Sequence, residues 1–225
     1  MKISVNTKTR STPLCAALCL TILGALPGAA AGVTDPSNDF IPTFVGPHNG
    51  DLDVLSANVT VNGSNLDFTA TLNGTVGNTP GEQYVFGLNR GQGTAKFDNI
   101  NEPNVLFDST VVVKTSGPSV VNDLIAGTTT TLGDVTLSGS MISAVVPLSE
   151  LPSEGFDPAG YQFNLWPETT PDNPANTNIS DFAPNNAVSA VSVAPEPGTL
   201  SLLSIGALAG FAAIRRRNKL RSTDI

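Results

Sequence analysis

The chain has 225 residues, a net charge of −8, and a composition that is 40% hydrophobic but only 13% charged. With two cysteines, both near the N-terminus, the bulk of the chain has neither a disulfide framework nor a thiolate metal centre. Its acidic balance excludes a nucleic-acid partner, because the phosphate backbone is bound by lysine and arginine.

The first 31 residues read as a targeting segment. Lys2, Lys8 and Arg10 make a basic start, an apolar run covers residues 14–26, and Ala29-Ala30-Ala31 offers a small-x-small cleavage site. That order is a secretory signal peptide with cleavage after Ala31, and it is set aside from the fold. A lipid-attachment box at Cys15 or Cys19 is rejected, because leucine (Leu14, Leu18) stands where a small residue is required.

The exported body follows, residues 32–192. Up to Ala194 it holds only three basic residues, Arg90, Lys96 and Lys114, against seventeen acids, a net of −14. Such a surface repels acidic polysaccharide unless cations bridge the two. Period-two alternation predicts a strand over residues 57–61 and another over 66–72, where Leu66, Phe68, Ala70 and Leu72 alternate with polar side chains. Asn62-Gly63-Ser64-Asn65 between them predicts a hairpin turn. Further strands are expected over 83–88, 105–113, 134–138, 141–146, 161–166 and 188–193. Leu148-Ser149-Glu150-Leu151 suits a single helical turn. Residues 167–187, with four prolines and many asparagines, read as a long loop. Many short strands divided by Gly, Pro and Asn predict an all-β body: an antiparallel β-sandwich of about eight strands, jelly-roll or Ig-like.

Candidate chemistry in the body is sparse. His48, the single histidine, lies in the turn Gly46-Pro47-His48-Asn49-Gly50, and no Gly-x-Ser-x-Gly elbow supplies a nucleophile for it. Gly91-Gln92-Gly93 lacks the lysine and the following helix of a phosphate loop and reads as a turn. Asp51/Asp53 and Glu150/Glu154 are the near carboxylate pairs that a secreted hydrolase would draw on, and solvated acids account for them equally well. Calcium takes six to eight oxygen ligands, and Asp172, Asn173, Asn178 and Asp181 cluster in the long loop. Asp172 and Asp181 are therefore the candidate calcium ligands. In the strand 161–166, Gln162, Asn164 and Trp166 share one face. An outward indole flanked by amides would bind polysaccharide, whereas an inward one belongs to the core. No residue pattern points to catalysis, and the expectation is a non-enzymatic protein.

The C-terminal residues 193–225 carry the clearest signal. Val193-Ala194-Pro195-Glu196-Pro197-Gly198 leads into sixteen uncharged residues, Thr199 to Ile214, and then Arg215-Arg216-Arg217. As a helix this run spans roughly 24 Å, short of a hydrocarbon core of about 30 Å, a gap that local thinning or snorkelling arginines closes. Basic residues beside a span stay cytoplasmic, so Arg215, Arg216 and Arg217 anchor the inner side and Pro195-Glu196-Pro197 lies on the far side. The two prolines keep that tripeptide extended and open to a processing enzyme.

In these three parts and their order, residues 193–217 resemble a PEP-CTERM sorting signal. The resemblance implies an exosortase, a membrane transpeptidase, as partner. That enzyme would recognise Pro195, Glu196, Pro197 and Gly198, cut nearby, and move the protein from a transient inner-membrane intermediate to the cell surface. A cell-envelope or biofilm-matrix protein in contact with extracellular polysaccharide is the implied setting.

Overall fold

The computed structural model describes residues 32–169 and 173–194. These form an all-β body of mostly antiparallel strands, with four 3-10 turns of three residues each and no α-helix among the described residues. The signal segment, the uncharged run and the arginine cluster lie outside the described residues.

One six-stranded sheet runs β1 (Val33–Thr34), β2 (Val54–Asn62), β3 (Asn65–Leu72), β11 (Met141–Pro147), β10 (Val135–Ser138). Its sixth strand, β14 (Ser192–Val193), pairs in parallel with β2. The second sheet runs β13 (Ser189–Ala190), β12 (Gln162–Glu168), β4 (Gln83–Asn89), β7 (Ser109–Lys114), β8 (Val120–Asp123), β9 (Thr128–Thr131). A separate hairpin joins β5 (Thr94–Phe97) to β6 (Glu102–Phe107).

The sequence pattern explains why these strands face as they do. In β3 the alternating Leu66, Phe68, Ala70 and Leu72 are all buried, as period two requires. Gly63, at φ +58°, and Ser64 close the β2–β3 hairpin, a left-handed position that glycine takes without a Cβ clash. The inward residues of β3 meet Tyr84, Phe86, Leu88, Val111, Val113, Phe163 and Leu165 of the second sheet in one core cluster. Phe68 and Phe86 pack edge-to-face across it, with centroids 5.2 Å apart.

The second sheet is covered on its other face as well. Val85, Val112 and Trp166 point away from the first sheet into a further cluster with Leu52, Phe97, Phe107, Ile179 and Phe182. Strand β4 is accordingly buried at all seven positions, the pattern of a strand packed on both faces. Its Gly87 is needed for contact: an added Cβ would lie 2.6 Å from Cζ3 of Trp166.

Among the described residues fourteen strands occur where about eight were expected, because two expected strands are divided and four unpredicted ones (β1, β5, β8 and β9) are added. Residues 105–113 break at Asp108. Its carboxylate, 2% exposed, accepts from the backbone N–H of Arg90 (2.8 Å) and of Gln92 (3.0 Å) and from Arg90 Nε (2.8 Å). This turns the chain from the β5–β6 hairpin into the second sheet. Residues 188–193 split around buried Val191, so that β13 and β14 join different sheets. Strand β9 is four exposed threonines, Thr128 to Thr131, with no alternation to reveal it. Residues 148–150 form the expected single turn.

Arg90 is fully buried. Its guanidinium also donates from Nη2 to Asp123 Oδ1 (2.9 Å), and from Nη1 to Asp123 Oδ2 (3.0 Å) and the Pro152 carbonyl (3.0 Å). Breaking a buried ion pair leaves its partner uncompensated, so Arg90→Ala is expected to lower unfolding free energy by about 3–5 kcal/mol in urea titrations. Hydrogen bonds from Arg90 hold Asp123 below the usual carboxylate range. A depressed folded-state pKa stabilises above the unfolded value, about 3.9, and that contribution fades as pH falls through the folded value. The urea midpoint should therefore drop on acidification below about pH 4, and the drop should be shallower in Asp123→Asn.

Candidate functional sites

Both ends of the described body converge on one strand edge. Strand β1 pairs with β2 through Val33↔Ala57 and Thr34↔Ser56, and β14 pairs farther along through Ser192↔Thr60 and Val193↔Val61. Ser192 Oγ lies 2.7 Å from Thr60 Oγ1, and the backbone N–H of Ala194 donates to the Val61 carbonyl at 2.9 Å. The next residue is Pro195. The Pro-Glu-Pro tripeptide thus starts, in sequence, one residue beyond the last hydrogen bond of this edge among the described residues. Pro195, Glu196, Pro197, Gly198, Arg215, Arg216 and Arg217 themselves lie outside the described residues.

The three residues considered for glycan binding do share a face of β12, but that face is covered. Trp166 is 3% exposed, with Phe97, Phe107 and Phe182 at centroid distances of 5.1, 5.1 and 5.9 Å. Asn164 is also buried; its Nδ2 donates to the Pro184 and Ala187 carbonyls at 2.6 and 2.8 Å. Gln162 Oε1 accepts from Asn89 Nδ2 at 3.0 Å. Of the two readings of Trp166, the structure places the indole in the core, and the outward, glycan-stacking one does not apply. The covering layer comes from the β5–β6 hairpin and residues 179–182, distant in sequence, which a reading of β12 alone does not reveal.

The hydrolase pairs fare likewise. Asp51 and Asp53 are each 1% exposed rather than solvated. Asp51 accepts from the backbone N–H and the hydroxyl of Thr79, while Glu154 accepts from Gln92 Nε2 at 2.8 Å. His48 is exposed in its turn and stacks on Phe40, centroids 4.3 Å apart. Gly91-Gln92-Gly93 is a turn after β4, tied by Asn89 Oδ1 accepting from the backbone N–H of Gly91 and Gly93.

Asp172 lies outside the described residues. Asp181 is not in a solvated loop; it is fully buried. Its oxygens accept from the backbone N–H of Val54 (2.8 Å) and Phe182 (2.7 Å), fastening residues 181–182 to the start of β2. Asn173 is occupied locally, donating to Thr177 Oγ1 and accepting from the Ala175 N–H. Asp181 is joined instead by Asp35 and Asp39 from the segment after β1, with one carboxylate oxygen from each of the three within 4.8 Å of the others. Burial first, then the charges of Asp35 and Asp39, push Asp181 up to about 8 against the two amides. Burial and the charges of Asp39 and Asp53 push Asp35 up to about 7. The Asp35 and Asp39 members were missed because they lie some 140 residues from Asp181 in an unremarkable Asp-Pro-Ser-Asn-Asp stretch.

The family model of the PEP-CTERM protein-sorting motif matches residues 193–217, beginning on the last residue of β14. No curated protein matches the chain. The motif marks the chain as a secreted protein sorted through an exosortase, with the cell surface or the extracellular space as its destination.

The buried indole gives a direct check. Trp166→Ala should cost about 3–5 kcal/mol of stability, read from the urea midpoint. Fluorescence from this single tryptophan should be blue-shifted and unchanged by soluble polysaccharide; a shift in emission on adding polysaccharide would contradict the buried placement.

Proposed function

We propose that the body is a non-enzymatic β-sandwich that serves as a surface or matrix protein of a bacterial cell envelope. An N-terminal signal peptide exports it. The uncharged run Thr199 to Ile214 then holds it in the inner membrane, with Arg215-Arg216-Arg217 on the cytoplasmic side. An exosortase cuts near Pro195-Glu196-Pro197 and releases the body to the surface or to the extracellular polymer.

The observation that carries this reading is the sorting motif starting at the end of β14. The backbone hydrogen bond from Ala194 to the Val61 carbonyl lies one residue before Pro195 in the sequence, so the motif follows directly on the folded body. The non-enzymatic part rests on how the polar groups are used. Among the described residues, one surface groove of about 450 Å³ is lined by small and hydroxyl residues such as Thr34, Ser56, Thr69 and Thr71, with no acid or histidine. Another, about 250 Å³, contains one carboxylate, Glu168. Neither offers the paired carboxylates or the nucleophile and base that hydrolysis needs.

In cells that carry the exosortase, Pro195-Glu196-Pro197 changed to Ala-Ala-Ala should leave the unprocessed form in the inner-membrane fraction. Wild type should appear shortened at the surface or in the medium by mass spectrometry of its C-terminus. Unchanged processing of the triple variant would refute the sorting route.

A further inference from the structure

We propose that Asp35, Asp39 and Asp181, with Asp53 beside them, form a calcium site that fastens the start of the exported domain to its core. The three carboxylates each bring an oxygen within 4.8 Å of the other two. Oxygens on opposite sides of one calcium ion stand about 4.6–5.2 Å apart, since each bond is about 2.3–2.6 Å. Oxygens this close can belong to a single coordination shell.

A second observation points to a missing cation. Asp53 is 1% exposed, and its Oδ2 accepts from the backbone N–H of Asn38 and from Asn73 Nδ2, both at 2.8 Å. Its Oδ1 is buried with no hydrogen-bond donor, and so are Asp35 Oδ2 and Asp39 Oδ1. The Asn38 bond places Asp53 under the loop that joins Asp35 to Asp39, and the charge of Asp53 acts on Asp35. Buried carboxylate oxygens without donors are costly unless a cation satisfies them. The body's buried cation, Arg90, is engaged elsewhere by Asp108 and Asp123.

The ligands come from three separate stretches: the loop after β1, the residue before β2, and the segment that bridges to β12 through Leu165↔Ala183. A bound ion would tie the first residues of the exported domain to β2 and to the second sheet at once. Binding depends only on these residues. Its use as a post-export fastener rests on the export reading, since extracellular modules take calcium at about 10⁻⁴–10⁻³ M.

The test uses the purified full-length chain, stripped with a chelator and titrated with calcium chloride by calorimetry and thermal unfolding. The expected result is one ion per chain, and a Tm rise of about 3–6 °C at ten times the dissociation constant. Asp35→Asn and Asp39→Asn should each weaken binding about tenfold or more and shrink the Tm shift, because ligand charge sets affinity. Asp134→Asn, an exposed acid on the far sheet edge, should leave both unchanged. No binding heat and no shift up to about 10 mM calcium, or a shift of wild-type size in both Asp35→Asn and Asp39→Asn, would overturn the site. Because these measurements need no exosortase, their failure is separable from a failure of the sorting reading.

Discussion

The buried guanidinium of Arg90 is the constraint on which one end of this body depends. It ends β4, and its side chain holds Asp108 and Asp123, the residues that close β6 and β8. Its carbonyl accepts from the backbone N–H of Glu154 and Phe156, so the loop before β12 is drawn to the same point. Desolvating a charge is expensive, and only a full set of acceptors offsets that cost. Arg90 has such a set, which is why a chain with three basic residues in its body can bury one of them. The same geometry explains why the apolar run around residue 108 does not continue as one strand.

At the opposite extreme stands the acidic cluster around Asp181. There the carboxylates face one another and two backbone amides, and the charges acting on Asp35 and Asp181 come from other carboxylates. The two clusters show one principle applied to both signs of charge. A buried ionised group is held by a matched partner, or it stays poised to gain a proton or a cation. In a body with a net charge near −14, cations from the medium are the abundant partner.

Topology links these local facts to sorting. The edge of β2 receives β1 and β14 end to end, so the first described residues and those nearest the sorting motif lie along one strand. Completing that edge requires the C-terminal residues to be in place. The body's last pairing and the start of the processing signal therefore share residue Val193.

Much of this was legible in the sequence. The sorting signal is a local pattern of prolines, an uncharged run and arginines, and needs no tertiary partner to be recognised. The β2–β3 hairpin announces itself through alternation and Asn-Gly, because one face meets the core and the other meets solvent or polar neighbours. Tertiary structure decided what depends on distant residues. It determined that β12 is covered on both faces, so that Trp166 is core; that Asp108 splits a run of apolar residues; and that Asp181 meets Asp35 and Asp39 from the opposite end of the body. Local periodicity records that one face of a strand is apolar. Which chain segment comes to lie on the other face is set by packing among residues far apart in sequence, and no window along the chain contains that information.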